Sequence, residues 1–378
     1  MRSAKRPRPG TRRGRSSLSS RRLLPPAAIL LIALGVVARA PAHAAAPDPF
    51  AFFQPTVVLT AGERKQLERG EPLVRVIPGE DREVAVFAAM KTTIDGDRLL
   101  AWVQRIEALK KNAYVLAISR FSETPRLEDL KGLTLEEDEA SDILDCRPGD
   151  CSLKLSGDEM RTLQQAAARQ GSNEAPKNAA LERAYQSVML RRIEKYLAGG
   201  LAGLPNDEST SDALRPADAL AALLDHTRFL SAHTPTFAQY LSHFPRAPMP
   251  GVESFVYWSK EQIAGKPIVS ATHVSTLRSD VPGVPEGLAA TVGIFSTHYV
   301  NASLGVMAVV REAPGAPGYL VYMNRSQVDV LGGMFGGLVR MVVQRRLRSE
   351  ATDVLRDIRK RLESGVPPAG AAASETQR

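Results

Sequence analysis

The sequence lacks the short motifs that mark the common enzyme chemistries. It contains no Gly-x-Ser-x-Gly nucleophile elbow, no His-Glu-x-x-His helix, no P-loop and no glycine-rich dinucleotide fingerprint. Three histidines, His226, His233 and His243, have a spacing that matches no zinc motif. The sequence therefore predicts no metal site and no cofactor, and it does not indicate a particular reaction.

Acidic residues are absent from the first 44 positions, which hold 10 of the 49 lysines and arginines. A short apolar run from Ala27 to Ala38 follows the basic segment, and Ala42-His43-Ala44 comes after it. The run is shorter than the roughly 20 residues that span a bilayer, and Ala-x-Ala is the pattern that signal peptidase cleaves. We therefore predict a signal peptide at 1–44 and a mature chain that begins near Ala45, in the periplasm or outside the cell.

Two alternatives for this leader stay open. Ser20-Arg21-Arg22-Leu23-Leu24 resembles the twin-arginine signal, which exports chains already folded. An uncleaved anchor would also leave the folded part outside the cytoplasm. Without residues 1–44 the chain keeps 39 of its 49 basic residues against 41 acidic ones, a net charge of −2. Because the basicity belongs to the leader, we expect no nucleic-acid partner.

Cysteine is scarce, since Cys146 and Cys151 are the only two in the chain. Four residues separate them, whereas redox and haem-attachment motifs place two between their cysteines. Pro148 presets φ at the second position of a turn and Gly149 supplies positive φ at the third, so the cysteines can face each other at bridging distance. In an exported chain this pattern predicts a structural disulfide that closes a hairpin. A free pair and a metal site are the alternatives.

The hydrophobic patterns divide the remaining chain into three parts. Residues 45–156 open with a capping-box helix from Thr60 to Gly70. Strand, strand, helix and strand are then predicted at Leu73–Ile77, Glu83–Ile94, Asp97–Lys111 and Tyr114–Phe121. Residues 157–245 change to helical periodicity and form a predicted insertion, with its apolar positions at Leu181, Tyr185, Val188, Met189 and Ile193.

Residues 246–364 return to strand patterns. Five runs separated by short turns predict an antiparallel meander, at Phe255–Ile263, Pro267–Leu277, Ala289–Val300, Ser303–Arg311 and Tyr319–Asn324. A long helix from about Leu331 to Glu363 ends this part. The tail at 365–378 has the composition of a disordered segment.

This order of elements, with Tyr319-Leu-Val-Tyr-Met-Asn-Arg325 leading into the last helix, resembles the START-like (SRPBCC) helix-grip superfamily. The resemblance covers residues 72–155 and 253–363, and the helical segment 157–245 departs from it. It implies an α+β fold in which a curved antiparallel sheet wraps around the C-terminal helix. It also implies an internal cavity for a lipid, sterol, polyketide or other apolar molecule. Some members of the superfamily are enzymes, and many only bind.

Four glycines, Gly332, Gly333, Gly336 and Gly337, lie in the first turns of the predicted terminal helix, beside Phe335. Glycine costs a helix roughly 1 kcal/mol relative to alanine, so a steric purpose is expected. Three purposes compete: space for a ligand under the helix, close packing against the sheet, and a helix contact in a dimer or membrane. Arginines between 340 and 348 add a transient contact with anionic lipid as an alternative to an ordinary solvated face.

The polar candidates for chemistry are His273 and His298, in two predicted strands, and Arg325 at the strand-to-helix junction. Alternation turns both imidazoles toward the interior, where they would line the cavity and act as acid, base or metal ligand. Buried structural histidines are the alternative.

Three functions follow from these patterns. The first is a periplasmic carrier or sensor that binds a lipid or other apolar small molecule. The second is a cyclase- or hydrolase-like enzyme that uses the same cavity, with Arg325 holding an anionic group. The third is a cell-envelope interaction protein that binds a partner through the helical insertion. The sequence leaves the oligomeric state open.

Overall fold

The computed structural model of the chain describes residues 48–79, 82–170, 174–263, 265–313, 315–331 and 352–366. Several of the predicted features lie outside these residues. They are the signal peptide at 1–44, the tail beyond 366, and the helix positions Gly332, Gly333, Phe335, Gly336 and Gly337.

The first helix, α1 at Ala61–Glu68, begins where the sequence supplies a reciprocal cap. The Thr60 hydroxyl accepts from the Glu63 backbone N–H at 3.2 Å, and the Glu63 carboxylate accepts from the Thr60 backbone N–H at 2.7 Å. Two of the donors that a helix start leaves unpaired are thereby satisfied. Gly70, at φ +80°, then turns the chain away from the helix axis, as predicted.

The described strands form one open, eight-stranded sheet with the order β1-β2-β8-β7-β6-β5-β4-β3, in which all neighbours are antiparallel. The fold is α+β, and the predicted meander is confirmed as β4 to β8. The strands are β1 Leu73–Ile77, β2 Glu83–Thr92, β3 Val115–Arg120, β4 Val252–Ile263, β5 Lys266–Arg278, β6 Gly287–Ser296, β7 Val300–Arg311 and β8 Gly318–Val328.

Apart from α1, which precedes β1, the helices fall into two groups. Helices α2 Gly96–Val103 and α3 Ile106–Lys110 connect β2 to β3, and α10, residues 352–363, ends the described chain. The others lie between β3 and β4: α4 Glu137–Asp145, α5 Gly157–Ala168, α6 Glu174–Gly199, α7 Pro216–His226, α8 Arg228–His233 and α9 Pro235–His243. None of the helices in the described ranges is long and apolar enough to cross a membrane.

The single helix predicted over Asp97–Lys111 is in fact two helices. It breaks at Arg105, which has φ −114° and ψ 50°. The break turns the chain so that Trp102 and Val103 of α2 and Ile106 and Leu109 of α3 enter the same apolar cluster. Packing of both apolar faces on one sheet therefore prevails over the continuous helical spacing.

The disulfide between Cys146 and Cys151 is confirmed, with a Cα–Cα distance of 4.5 Å. Arg147 and Asp150 exchange backbone hydrogen bonds of 3.0 and 2.9 Å across the turn, and Gly149 has φ +86°. The predicted hairpin needs a correction, because the residues before Cys146 are the end of α4 rather than an extended arm. The ring thus joins a helix end to the segment that enters α5.

Alternate residues of the same strands face two different layers. One side, the helical-layer face, packs large apolar side chains against α5 to α9, and Trp258, Val269, Leu304, Val321 and Met323 are buried there. The other side, the α10 face, packs against α2, α3 and α10. Its apolar residues include Met90, Phe255, Val274, Val309 and Leu320, together with Leu355 and Leu362 of α10.

Polar contacts fix the end of α10 to α2 and α3. The Arg98 guanidinium donates to the carbonyls of Leu362, at 3.1 Å, and Ser364. Arg361 Nη1 donates to the Leu109 carbonyl at 2.7 Å. A helix end leaves its last carbonyls unpaired, and those of Leu362 at the end of α10 and Leu109 at the end of α3 thereby gain charged donors. These contacts hold the end of α10 over the sheet.

Candidate ligand-binding site on the α10 face

The middle of the α10 face is built from small and hydroxyl-bearing side chains. We call this set the polar floor. Most of its members are half-buried, whereas the residues between them along each strand are buried on the helical-layer face: Ala271, Val292 and Leu304, which are apolar, and Arg325. The members are Ser270 and Thr272 of β5, Thr291 and Gly293 of β6, Ser303 and Gly305 of β7, and Asn324 and Ser326 of β8.

Two glycines keep the polar floor flat. A Cβ at Gly293 would overlap Ser303 Oγ, and a Cβ at Gly305 would overlap Thr291 Oγ1. Each hydroxyl side chain therefore lies across a glycine on the neighbouring strand. Glycine inside a strand weakens it and often marks a place where another group approaches closely. The pairing thus leaves a shallow surface in the middle of the sheet.

Four hydroxyls of the polar floor are available to an outside group. Within the part of the chain that the structure describes, the hydroxyls of Ser270, Thr272, Thr291 and Ser303 have no hydrogen-bond partner. Ser326 differs, because its Oγ donates to Asn324 Oδ1 at 2.8 Å. A half-buried hydroxyl needs a partner for its donor and acceptor sites, and water or a ligand can supply one.

An ion pair stands at the β4 side of the floor. Lys110 Nζ, at the end of α3, lies 2.6 Å from Glu261 Oε1 and 3.4 Å from the Tyr257 hydroxyl. Ser259 Oγ donates to the same Glu261 oxygen at 2.6 Å. The side chains of Lys110 and Glu261 are 28% and 21% exposed, so both are shielded without being sealed from water.

The pair is ionised at neutral pH. Burial opposes the charge of Lys110, but the neighbouring Tyr257 and Glu261 outweigh it and raise the pKa of the ammonium group. Burial also opposes the charge of Glu261, but Lys110 and the Ser259 hydroxyl outweigh it and lower the pKa of the carboxyl group. The site therefore presents one positive and one negative charge, with no net charge.

Tyr322 brings a second phenol to this region from β8. Burial raises the pKa of its hydroxyl, with smaller effects from Lys110, Tyr257 and Glu261 and from a hydrogen bond with Asn324. Tyr322 therefore stays protonated. Although β8 and β4 are separated by three strands, the electrostatic effects of Lys110, Tyr257 and Glu261 on Tyr322 place it near the ion pair.

His273 lies on the opposite side of the sheet from the polar floor. It is 2% exposed, and its Nδ1 lies 2.7 Å from the Tyr196 hydroxyl of α6. The Phe244 ring is 4.4 Å from the imidazole, centroid to centroid. Burial lowers the pKa of His273 to about 4. The side chain is thus neutral at physiological pH and packed among aromatic rings of the helical layer.

His298 lies in the bend between β6 and β7 rather than inside the predicted strand. Its Nδ1 is 2.9 Å from the Ser152 carbonyl oxygen and its Nε2 is 3.9 Å from a Glu139 oxygen. These partners differ from those of His273, so the structure does not bring the two imidazoles into one site. No three His, Cys, Asp or Glu side chains among the described residues are grouped to hold a metal ion.

Arg325 also faces the helical layer. Its guanidinium is paired with the Glu83 carboxylate, which bonds His226 Nδ1 as well. Arg325 and Glu83 are 5% and 3% exposed. The Glu83 carboxylate neutralises the Arg325 guanidinium, and the two belong to a buried polar network that joins β2, β8 and α7.

The sequence interpretation missed Lys110, Tyr257, Glu261 and the polar floor. A usable signal is present: four successive strands each carry two small or polar residues two positions apart on one face. The residue between them is apolar in three of the strands and is Arg325 in the fourth. The pairs are Ser270 with Thr272, Thr291 with Gly293, Ser303 with Gly305, and Asn324 with Ser326. Side chains two apart share a face of a strand, so the pairs predict one continuous polar surface.

Comparisons with known proteins add little to this geometry. No protein-family model matches the chain, and no curated protein matches its sequence. Among solved structures, the chain is similar to the crystal structure of TTHA0849 from Thermus thermophilus. The two share 13% identity over 39% of this chain and 88% of that one, with a TM-score of 0.23. A TM-score this low supports no inference about function.

Proposed function

We propose that this protein is an exported START-like protein that binds a lipid or another largely apolar small molecule on the α10 face of its sheet, as a carrier or sensor. The observation that carries the proposal is the contrast between the two faces of the same strands. One face is filled by large buried side chains, and the other keeps a half-exposed floor of glycines and hydroxyls. A face that served packing alone would be filled in the same way as its opposite.

The connectivity supports a helix-grip arrangement. The meander returns β8 to the side of β2, and α10 packs on the face that also carries α2 and α3. Leu355 and Leu362 of α10 share their cluster with Phe255 and Leu320 of the sheet. Sheet and helix therefore border the polar floor on one side of the molecule.

The lining favours an amphipathic ligand with a neutral polar group. Phe255, Leu320 and Met90 make the part of the face near α10 apolar, while hydroxyls and the Lys110–Glu261 pair offer hydrogen bonds. A bare carboxylate on the ligand would meet Glu261 as well as Lys110, and like charges at short range repel. A hydroxyl or amide group can use both members of the pair.

The export of the chain rests on the leader and the disulfide. Disulfides persist mainly in oxidising compartments such as the periplasm, and Cys146 and Cys151 are bonded. Intact-mass measurement of the chain from the extracytoplasmic fraction should give a start near Ala45. A cytoplasmic chain that keeps Met1 would overturn this part of the proposal.

Ligand binding is tested on the full mature chain purified from its own envelope fraction. Native mass spectrometry with lipid extraction should find a bound amphipathic molecule. Thr272→Phe fills the polar floor and should abolish that mass, whereas Thr272→Val keeps the side-chain volume and should retain most of it. A ligand-free wild type that takes up no lipid from vesicles would overturn the proposal, as would equal ligand content in both variants.

A further inference from the structure

A separate cavity lies within the helical layer, on the other side of the sheet from the polar floor. It has a volume of about 140 Å³ and lies between the end of α6, α7 and α9. Leu220, Leu224 and Leu241 line it, together with the rings of Tyr196 and Phe244, which are stacked at 5.2 Å. The wall is therefore apolar and partly aromatic.

The cavity is preformed by local constraints on its wall. The Tyr196 hydroxyl is held by His273 Nδ1 at 2.7 Å. Gly200, at φ +65°, allows the Phe244 carbonyl to approach so closely that a Cβ there would overlap its oxygen. Ala217 and Ala221, one turn apart on α7, contribute short side chains and leave the volume unfilled. A pocket with a fixed wall needs little reorganisation to bind a ligand.

The rim of the cavity carries positive charge. Ser242, His243 and Arg246 line its edge and are exposed, and the Arg246 backbone N–H donates to the His243 carbonyl at 2.7 Å. No acidic side chain is among the lining residues. In the described ranges, no ion pair of the Arg246 guanidinium is found. A ligand anion at the rim would thus meet a cation without a competing carboxylate.

We propose that this cavity is a second small-molecule site, for a compound with one aromatic ring or a compact branched chain that bears a carboxylate. A cavity of about 150 Å³ in an apolar protein interior accommodates benzene, so this volume suits a body of roughly six non-hydrogen atoms. The aromatic wall favours a ring, through offset or edge-to-face contacts. The guanidinium of Arg246 fits the carboxylate, which it can bind through two parallel hydrogen bonds.

Phenylacetate is a suitable probe, measured by isothermal titration on the full mature chain with phenylacetamide as its neutral counterpart. We expect saturable binding of phenylacetate and weaker binding of phenylacetamide. Arg246→Gln should weaken phenylacetate binding about tenfold, which corresponds to about 1.4 kcal/mol, and leave phenylacetamide unchanged. Arg246 is exposed, so this substitution should not disturb folding.

Filling the cavity supplies the second arm of the experiment. Ala217→Leu should abolish binding of both probes, whereas Ala198→Leu, at an exposed position of the neighbouring α6 outside the cavity, should retain it. Thr272→Phe on the polar floor should leave phenylacetate binding intact. Absence of saturable phenylacetate binding would overturn the proposal, as would binding insensitive to Ala217→Leu. Equal affinity for the two probes would exclude the carboxylate ligand.

Discussion

The Tyr196 hydroxyl lies 2.7 Å from His273 Nδ1, and this contact joins α6 of the helical layer to β5 of the sheet. Burial raises the pKa of Tyr196 and lowers that of His273 to about 4. Both groups are therefore neutral at pH 7, and the phenol donates to an unprotonated ring nitrogen. The two residues are 77 positions apart in the chain, so this hydrogen bond is a tertiary contact between the helical layer and the sheet.

His273 should make stability depend on pH. Its folded pKa of about 4 lies below the ordinary value of 6.5, so the unfolded chain binds the proton more readily between these values. The contribution of the neutral His273 imidazole to the unfolding free energy is complete above pH 6.5 and is lost as the pH falls toward 4. Between pH 7 and pH 5 the wild type should lose about 2 kcal/mol more unfolding free energy than His273→Gln, measured by urea denaturation. Identical pH dependence in the two proteins would contradict a buried neutral imidazole.

Gly200 should tolerate substitution far less well than Gly199. A methyl group at Gly200 would overlap the Phe244 carbonyl oxygen, and φ is +65°. At Gly199 a Cβ meets nothing within 4 Å and φ is −133°. Gly200→Ala should therefore lower the unfolding free energy by about 2–4 kcal/mol, and Gly199→Ala by less than about 1 kcal/mol. Thermal or urea denaturation of the pair measures the difference, and equal effects would mean that the loop simply shifts.

Local patterns predicted the elements of this fold well. Thr60 and Glu63 form the expected cap, and the five runs of the meander became β4 to β8 in that order. These features depend on side chains a few residues apart, and the sequence displays such spacing directly. Leu181, Tyr185 and Ile193, predicted as the apolar stripe of a helix, are all buried in α6.

The site was not predicted, because it depends on which layer covers each face of the sheet. Alternation shows that His273 shares a face with Val269 and Ala271, but it does not show that α6 and Phe244 cover that face. Lys110 reaches Glu261 only because α3 breaks away from α2 and packs against β3, the neighbour of β4 in the sheet. Contacts between residues this far apart in the chain leave no periodic trace in the sequence.

The disulfide should stabilise the protein modestly. It closes a ring from Cys146 to Cys151, and such a small loop restricts the unfolded chain by roughly 2 kcal/mol on the loop-entropy model. Replacement of both cysteines by serine should lower the unfolding free energy by about that amount. Wild type denatured in the presence of a reductant should match the double variant, because both lack only the crosslink. A loss well above this range would indicate that the turn also holds in place the backbone hydrogen bond from the Cys151 N–H to the Ser209 carbonyl.

The Lys110–Glu261 pair should behave as a coupled unit. Both side chains are more than two-thirds shielded, so removal of one partner leaves the other charge partly buried and uncompensated. Glu261→Gln and Lys110→Met should each lower the unfolding free energy at pH 7 by about 1–2 kcal/mol, and the double variant should lose less than the sum. The lowered pKa of Glu261 gives the direction of the pH effect. The contribution of the Glu261 carboxylate to the unfolding free energy is complete above the ordinary pKa of 4.5 and disappears as the pH falls below it. Glu261→Gln should lack this pH-dependent loss. Urea denaturation of the four proteins at pH 7 measures the coupling, and losses that simply add would show that the two charges are solvated independently of each other.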